Sequence, residues 1–70
     1  MPRVVNRLPA LLRAQNVGWT ELARRCALPA ARLRRLRRPD ANPSLDVAVR
    51  IARTLGVPVE RLWSLADRDA

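Results

Sequence analysis

A chain of 70 residues with a formal net charge of +8, 49% hydrophobic and only 3% aromatic, has room for one small aliphatic core, and a chain this short buries only about 60% of its unfolded surface. One cysteine excludes an internal disulfide and the lack of histidine excludes an ordinary zinc site. No Ser-His-Asp or Cys-His set, glycine-rich phosphate loop or close carboxylate pair offers catalysis, so no enzyme and no cofactor is expected.

Taken in order, residues 1–5 read as a short extended arm carrying Arg3, of the kind that frays. Pro2, Arg3 and Asn6 interrupt any apolar run, so neither signal peptide nor membrane span is expected. The expected compartment is a reducing cytoplasm. The first helix is expected over 7–15, with Asn6 as N-cap, Pro9 in the first turn, Leu8, Leu11 and Leu12 inward, and Asn16 at the left-handed end.

A second helix is expected over 19–26. Gly18 caps it, Glu21 supplies the capping-box acid, and Leu22, Ala23 and Cys26 form the buried stripe. Cys26 reads as a small core residue. Trp19 has two readings, a phosphate contact through its indole N–H or a lid over the core. The turn Ala27-Leu28-Pro29 then forces Leu28 into extended backbone as a core plug.

The third helix, over 30–37, carries the argument. All 14 basic residues of the chain are arginine, and Arg24, Arg25, Arg32, Arg34, Arg35, Arg37 and Arg38 crowd into 22–38, a stretch without an acid. With Leu33 and Leu36 aimed at the core, 100° per residue puts Ala31, Arg34, Arg35 and Arg38 on the opposite face. Like charges at such spacings repel unless a polyanion relieves them. The arginine fork fits guanine O6 and N7 in the major groove as well as phosphate, and Ala31 is small enough for close approach. Arg32 and Arg37 flank this face and suit phosphates.

Residues 39–43 are rich in turn formers and make a loop. Ser44 caps a fourth helix over 45–55, whose inner face is Leu45, Ala48, Ile51, Ala52 and Leu55, ending at Gly56. A fifth helix is expected over 59–66 with Leu62 and Trp63 inward and Leu65 left over. Residues 67–70 should be loose. The only candidate surface for a two-fold partner is Trp63 and Leu65.

These residues resemble the Cro and phage-repressor (Xre-like) helix-turn-helix family. The likeness is carried by NRL at 6–8, Leu11, Val17, GWTELARR at 18–25, Leu28, Leu33, Leu36, NPSLDVAVRIARTLGV at 42–57 and VERLW at 59–63. It implies an all-α, five-helix, lambda-repressor-like domain spanning 1–70, with helices 2 and 3 forming the helix-turn-helix. It further implies a homodimer on double-stranded DNA, base contacts from Ala30, Ala31, Arg34 and Arg35, and phosphate contacts from Trp19 and from the loop Arg38 to Asn42. Arg24, Arg25, Arg32 and Arg37 join the phosphate set by their charge and position. The chain departs from the family pattern at Trp19, usually Gln, at Pro29, usually Ser or Thr, and at Arg38-Pro39, usually a glycine-containing turn. Leu12 and Arg37 stand where many members pair Arg with Glu, so the Arg37 head group is expected to swing out to solvent or phosphate.

The expected function is a sequence-specific transcriptional regulator, most simply a repressor, with no small-molecule ligand. Two alternatives compete with it. One is an antitoxin-like or partner-binding module of the same fold that uses Trp63 and Leu65; the other is a non-specific nucleic-acid binder.

Overall fold

The computed structural model describes residues 2–67. Strand β1 (Pro2–Asn6) is followed by α1 (Leu8–Gln15), α2 (Trp19–Cys26), α3 (Ala30–Arg34) and a 3-10 turn (Arg35–Arg37), then α4 (Leu45–Leu55), α5 (Val59–Leu62) and β2 (Trp63–Asp67). Each of the five helices contributes one side chain that is essentially fully shielded, namely Leu8, Leu22, Leu33, Ile51 and Leu62. Convergence of one aliphatic group per helix is how so short a chain closes a core. Leu12, Ala23, Cys26, Leu28, Leu36, Trp63 and the inner face of α4 complete it.

The expected all-α architecture is corrected by a two-stranded antiparallel sheet. β1 pairs with β2 in the register Arg3↔Ala66, Val4↔Leu65, Val5↔Ser64 and Asn6↔Trp63. The arm is therefore a strand, and the fifth helix stops at Leu62 rather than continuing to Ala66. Two adjacent β-branched residues, Val4 and Val5, favour the pleated conformation. Trp63 takes extended backbone (φ −134°, ψ 127°), which ends α5 and keeps its ring in the core at 8% exposure. Of the expected loose tail, Asp67 closes β2, while 68–70 lie outside the described residues.

The inner face of α4 also needs correction. Leu45 is 75% exposed, and Val47 is buried beside Ala48, Ile51, Ala52 and Leu55. At 100° per residue Leu45 lies about 90° from the centre of that stripe, in a first turn that the core does not reach.

Three helices end through one left-handed residue, with the next N–H reaching back to close the last turn. Val17 donates to the Leu12 carbonyl (2.9 Å) past Asn16, Leu28 to Ala23 (3.0 Å) past Ala27, and Val57 to Ala52 (3.1 Å) past Gly56. Asn and Gly tolerate this conformation, but an alanine at φ 56° does not do so freely. The buried Leu28 on one side and the helix on the other hold Ala27 there.

Asn6 works differently from a simple N-cap. α1 begins at Leu8, and the Asn6 side-chain oxygen accepts the Leu8 N–H (3.0 Å) from one residue further out than expected. Its amide nitrogen meanwhile donates to the Leu36 carbonyl (2.6 Å) and the Arg38 carbonyl (2.7 Å).

Two stability measurements follow from these contacts. Ala27→Gly removes the cost of a Cβ in the left-handed region at an exposed position and should raise unfolding free energy in urea by about 1 kcal/mol; a loss of stability would contradict the strain assigned to Ala27. Asn6→Ala deletes three side-chain hydrogen bonds and should lower stability by about 2 to 3 kcal/mol, and Asn6→Asp, which keeps the acceptor but turns a carboxylate oxygen toward the Leu36 and Arg38 carbonyls, should be no more stable at neutral pH than Asn6→Ala.

Candidate nucleic-acid interface

The interface is built on α2 and α3, joined through Ala27-Leu28-Pro29. α2 buries Leu22, Ala23 and Cys26 and exposes Arg24 and Arg25. Its expected capping box does not form: Gly18 has no side chain to reciprocate, and Glu21 turns to Arg25 one helical turn on, at 3.9 Å.

α3 begins at Ala30, after Pro29 in extended backbone (φ −62°, ψ 139°). Leu33 and Leu36 are buried at 1% and 5% exposure, as the arginine face requires, and Ala30, Ala31, Arg32, Arg34 and Arg35 are exposed. The helix expected to run unbroken to Arg37 instead tightens to 3-10 at Arg35. Residues three apart eclipse in a 3-10 turn, so the tightening keeps Leu36 beneath Leu33. Pro39 then forces Arg38 into extended backbone (φ −75°, ψ 144°). Arg38 therefore leaves the outward row for the loop, and the row is Ala31, Arg34 and Arg35.

Two ion pairs occur among the described residues, Glu21–Arg25 and Arg38–Asp40 (3.7 Å), both with well exposed side chains. Exposed pairs like these hold their partners weakly. Arg24, Arg32, Arg34, Arg35 and Arg37 have no carboxylate partner among the described residues. Arg25, expected among the phosphate ligands, also donates through its guanidinium to the Thr54 carbonyl near the end of α4 (3.4 Å). It joins α2 to α4 rather than standing free.

Trp19 opens α2, half-buried and packed on the core, and the Arg37 guanidinium lies over its ring with Cζ 5.4 Å from the centroid. Arg37 does swing outward, as its place in the chain implies, but onto an aromatic face. That contact escapes sequence reasoning because eighteen positions separate the pair and no periodicity links them.

Between α3 and the start of α4 lies an open groove of about 680 Å³, lined among others by Arg32, Arg35, Arg38, Asp40, Asn42 and Ser44. The expected phosphate contacts Arg32, Arg38 and Asn42 thus share one concavity. Ser44 precedes α4 without capping it; its hydroxyl donates to the Asp46 carboxylate at 2.8 Å. That bond is the main reason the Asp46 carboxyl titrates below its ordinary value, with the Val47 N–H and the charge of Arg32 acting in the same sense. Trp63, expected at a dimer interface, is largely buried, whereas Leu65 is 70% exposed on β2. The one buried side-chain donor without a partner among the described residues is the Trp63 indole nitrogen.

No described helix is long and apolar enough to cross a membrane. Residues 10–62 match the family model described as helix-turn-helix. No curated protein matches the chain.

A carboxyl held low in the folded state stabilises the fold above its unfolded titration range, and that contribution is lost as pH falls through the folded value. Ser44→Ala should therefore move the Asp46 midpoint upward, toward the ordinary carboxylate range, in an NMR carboxyl titration. An unchanged midpoint would rule out the hydroxyl as its main cause.

Proposed function

We propose that this chain, which belongs to the helix-turn-helix family of DNA-binding regulators, binds double-stranded DNA sequence-specifically as a small transcriptional repressor. In this reading α3 lies in the major groove, with Ala30, Ala31, Arg34 and Arg35 at base edges. Arg24, Arg32, Arg37, Arg38 and Asn42 then meet phosphates along both sides of the groove. The observation that carries the reading is the burial of Leu33 and Leu36 beneath an exposed Arg34 and Arg35 that have no carboxylate partner among the described residues. An arginine whose fork is not engaged by the protein keeps all its donors for a base edge or a phosphate.

Occupation of a promoter is the simplest mode of action for such a chain, with each subunit reading one half-site. A homodimer is the proposed form, and the exposed Leu65 on β2 is its contact. Duplexes selected from a random pool should then be palindromic.

The two roles assigned to arginine separate in competition binding. Arg35→Ala should cost about 1 to 3 kcal/mol on the selected duplex and relax preference at one base position, while Arg24→Ala should weaken selected and random duplex alike and lower the salt slope by about one. Equal losses from both variants on both duplexes would remove the claim of base readout.

A further inference from the structure

We infer that Trp19 is a positioning residue rather than a phosphate ligand: its ring holds the Arg37 guanidinium ready for a DNA backbone phosphate, and the two side chains act as one unit. The inference rests on the DNA-binding reading above and assigns a role within it.

The geometry comes first. Arg37 Cζ stands 5.4 Å from the Trp19 ring centroid, inside the roughly 6 Å range over which a guanidinium is attracted to an indole face. Trp19 is half-buried and packed against the core at the first position of α2, so the ring is a fixed surface. Arg37 is exposed at the last position of the 3-10 turn and has no carboxylate partner among the described residues. A guanidinium attracted to a ring rather than to a carboxylate spends no N–H donor on an acceptor within the protein and keeps its donors for one outside it.

Chemistry then selects the acceptor. A free arginine samples many rotamers and loses that freedom when it binds, whereas one already seated on a ring loses less. The seat lies where the exit of the recognition segment meets the entrance of α2. It is not in the outward row of Ala31, Arg34 and Arg35, so the group it meets in a groove-bound complex is backbone phosphate rather than a base edge. The residue types that interrupt the family pattern at 19 and 37 are thus complementary to each other.

The test is a double-mutant cycle read as duplex affinity against salt concentration. Arg37→Ala should weaken selected and random duplex about tenfold and lower the salt slope by about one. Trp19→Leu keeps apolar bulk over the core and removes the π face; it should weaken binding about fivefold, and Trp19→Phe should recover most of that loss. In the Arg37→Ala background, Trp19→Leu should have no further effect. Without DNA, the Arg37 side-chain protons should lose their ring-current shift in Trp19→Leu, which reports the contact independently of binding.

Independent, additive losses would overturn the coupling, as would a salt slope untouched by Arg37→Ala or a Trp19→Phe variant no better than Trp19→Leu. In each of those results the wild type still binds duplex and the DNA-binding reading stands. A wild type that binds neither selected nor random duplex overturns both.

Discussion

Asn6 is the point at which the strand, the first helix and the end of the arginine-bearing segment are tied together. Its main-chain N–H donates to the Pro39 carbonyl (3.0 Å), and its side-chain nitrogen donates to Leu36 and Arg38 carbonyls. Its side-chain oxygen takes the Leu8 N–H. Carbonyls at the end of a helix have no partners within it and must find them elsewhere. Here one amide supplies two of them and still caps α1. The position of the arginine-bearing segment over the core depends on that amide as well as on Leu33 and Leu36, since the leucines fix its face and Asn6 fixes where it stops.

Charge and fold oppose each other along this segment. Arg32, Arg34, Arg35, Arg37 and Arg38 lie within seven consecutive positions, and like charges one turn apart destabilise a helix. The segment is also short, five α-helical residues followed by one 3-10 turn, too little to stand without tertiary support. Burial of its leucines, the Asn6 clamp and the Trp19 ring beneath Arg37 supply that support. The remaining repulsion is what a polyanion relieves, so the same residues that weaken the free protein favour the bound one.

Much of this was legible in the sequence because helical periodicity and punctuation are local. The stripes of α1 and α2, the Leu28 plug, the inward pair Leu33 and Leu36 and the break at Pro39 follow from spacing and backbone sterics alone. The sheet did not show, because its strands are short, lie at opposite ends of the chain and contain residues that also fit a helix; Leu65, with no place on a helical stripe, was the available signal. The tightening at Arg35 leaves no mark on the pattern, since Leu33 and Leu36 stand three apart whether the turn is α or 3-10, and the Asn6 contact to the Leu36 carbonyl comes from thirty positions away. Arg25 looked like its neighbours until Thr54 was brought beside it by α4. Leu45 lies outside the core because a stripe fixes which side is inner and not how far along the helix the core extends.

The pairing of β1 with β2 has a kinetic consequence. Its register joins positions separated by nearly the whole described chain, and contacts of such long range are slow to form compared with the local closure of helices. The helices and their aliphatic centre can assemble while the two strands are still apart. Asn6 is the last residue of β1, so its side-chain contacts to Leu36 and Arg38 sit at the end of that pairing. The Asn6 contacts to the Leu36 and Arg38 carbonyls are long-range as well, spanning 30 and 32 positions, and so belong with the slower contacts to close.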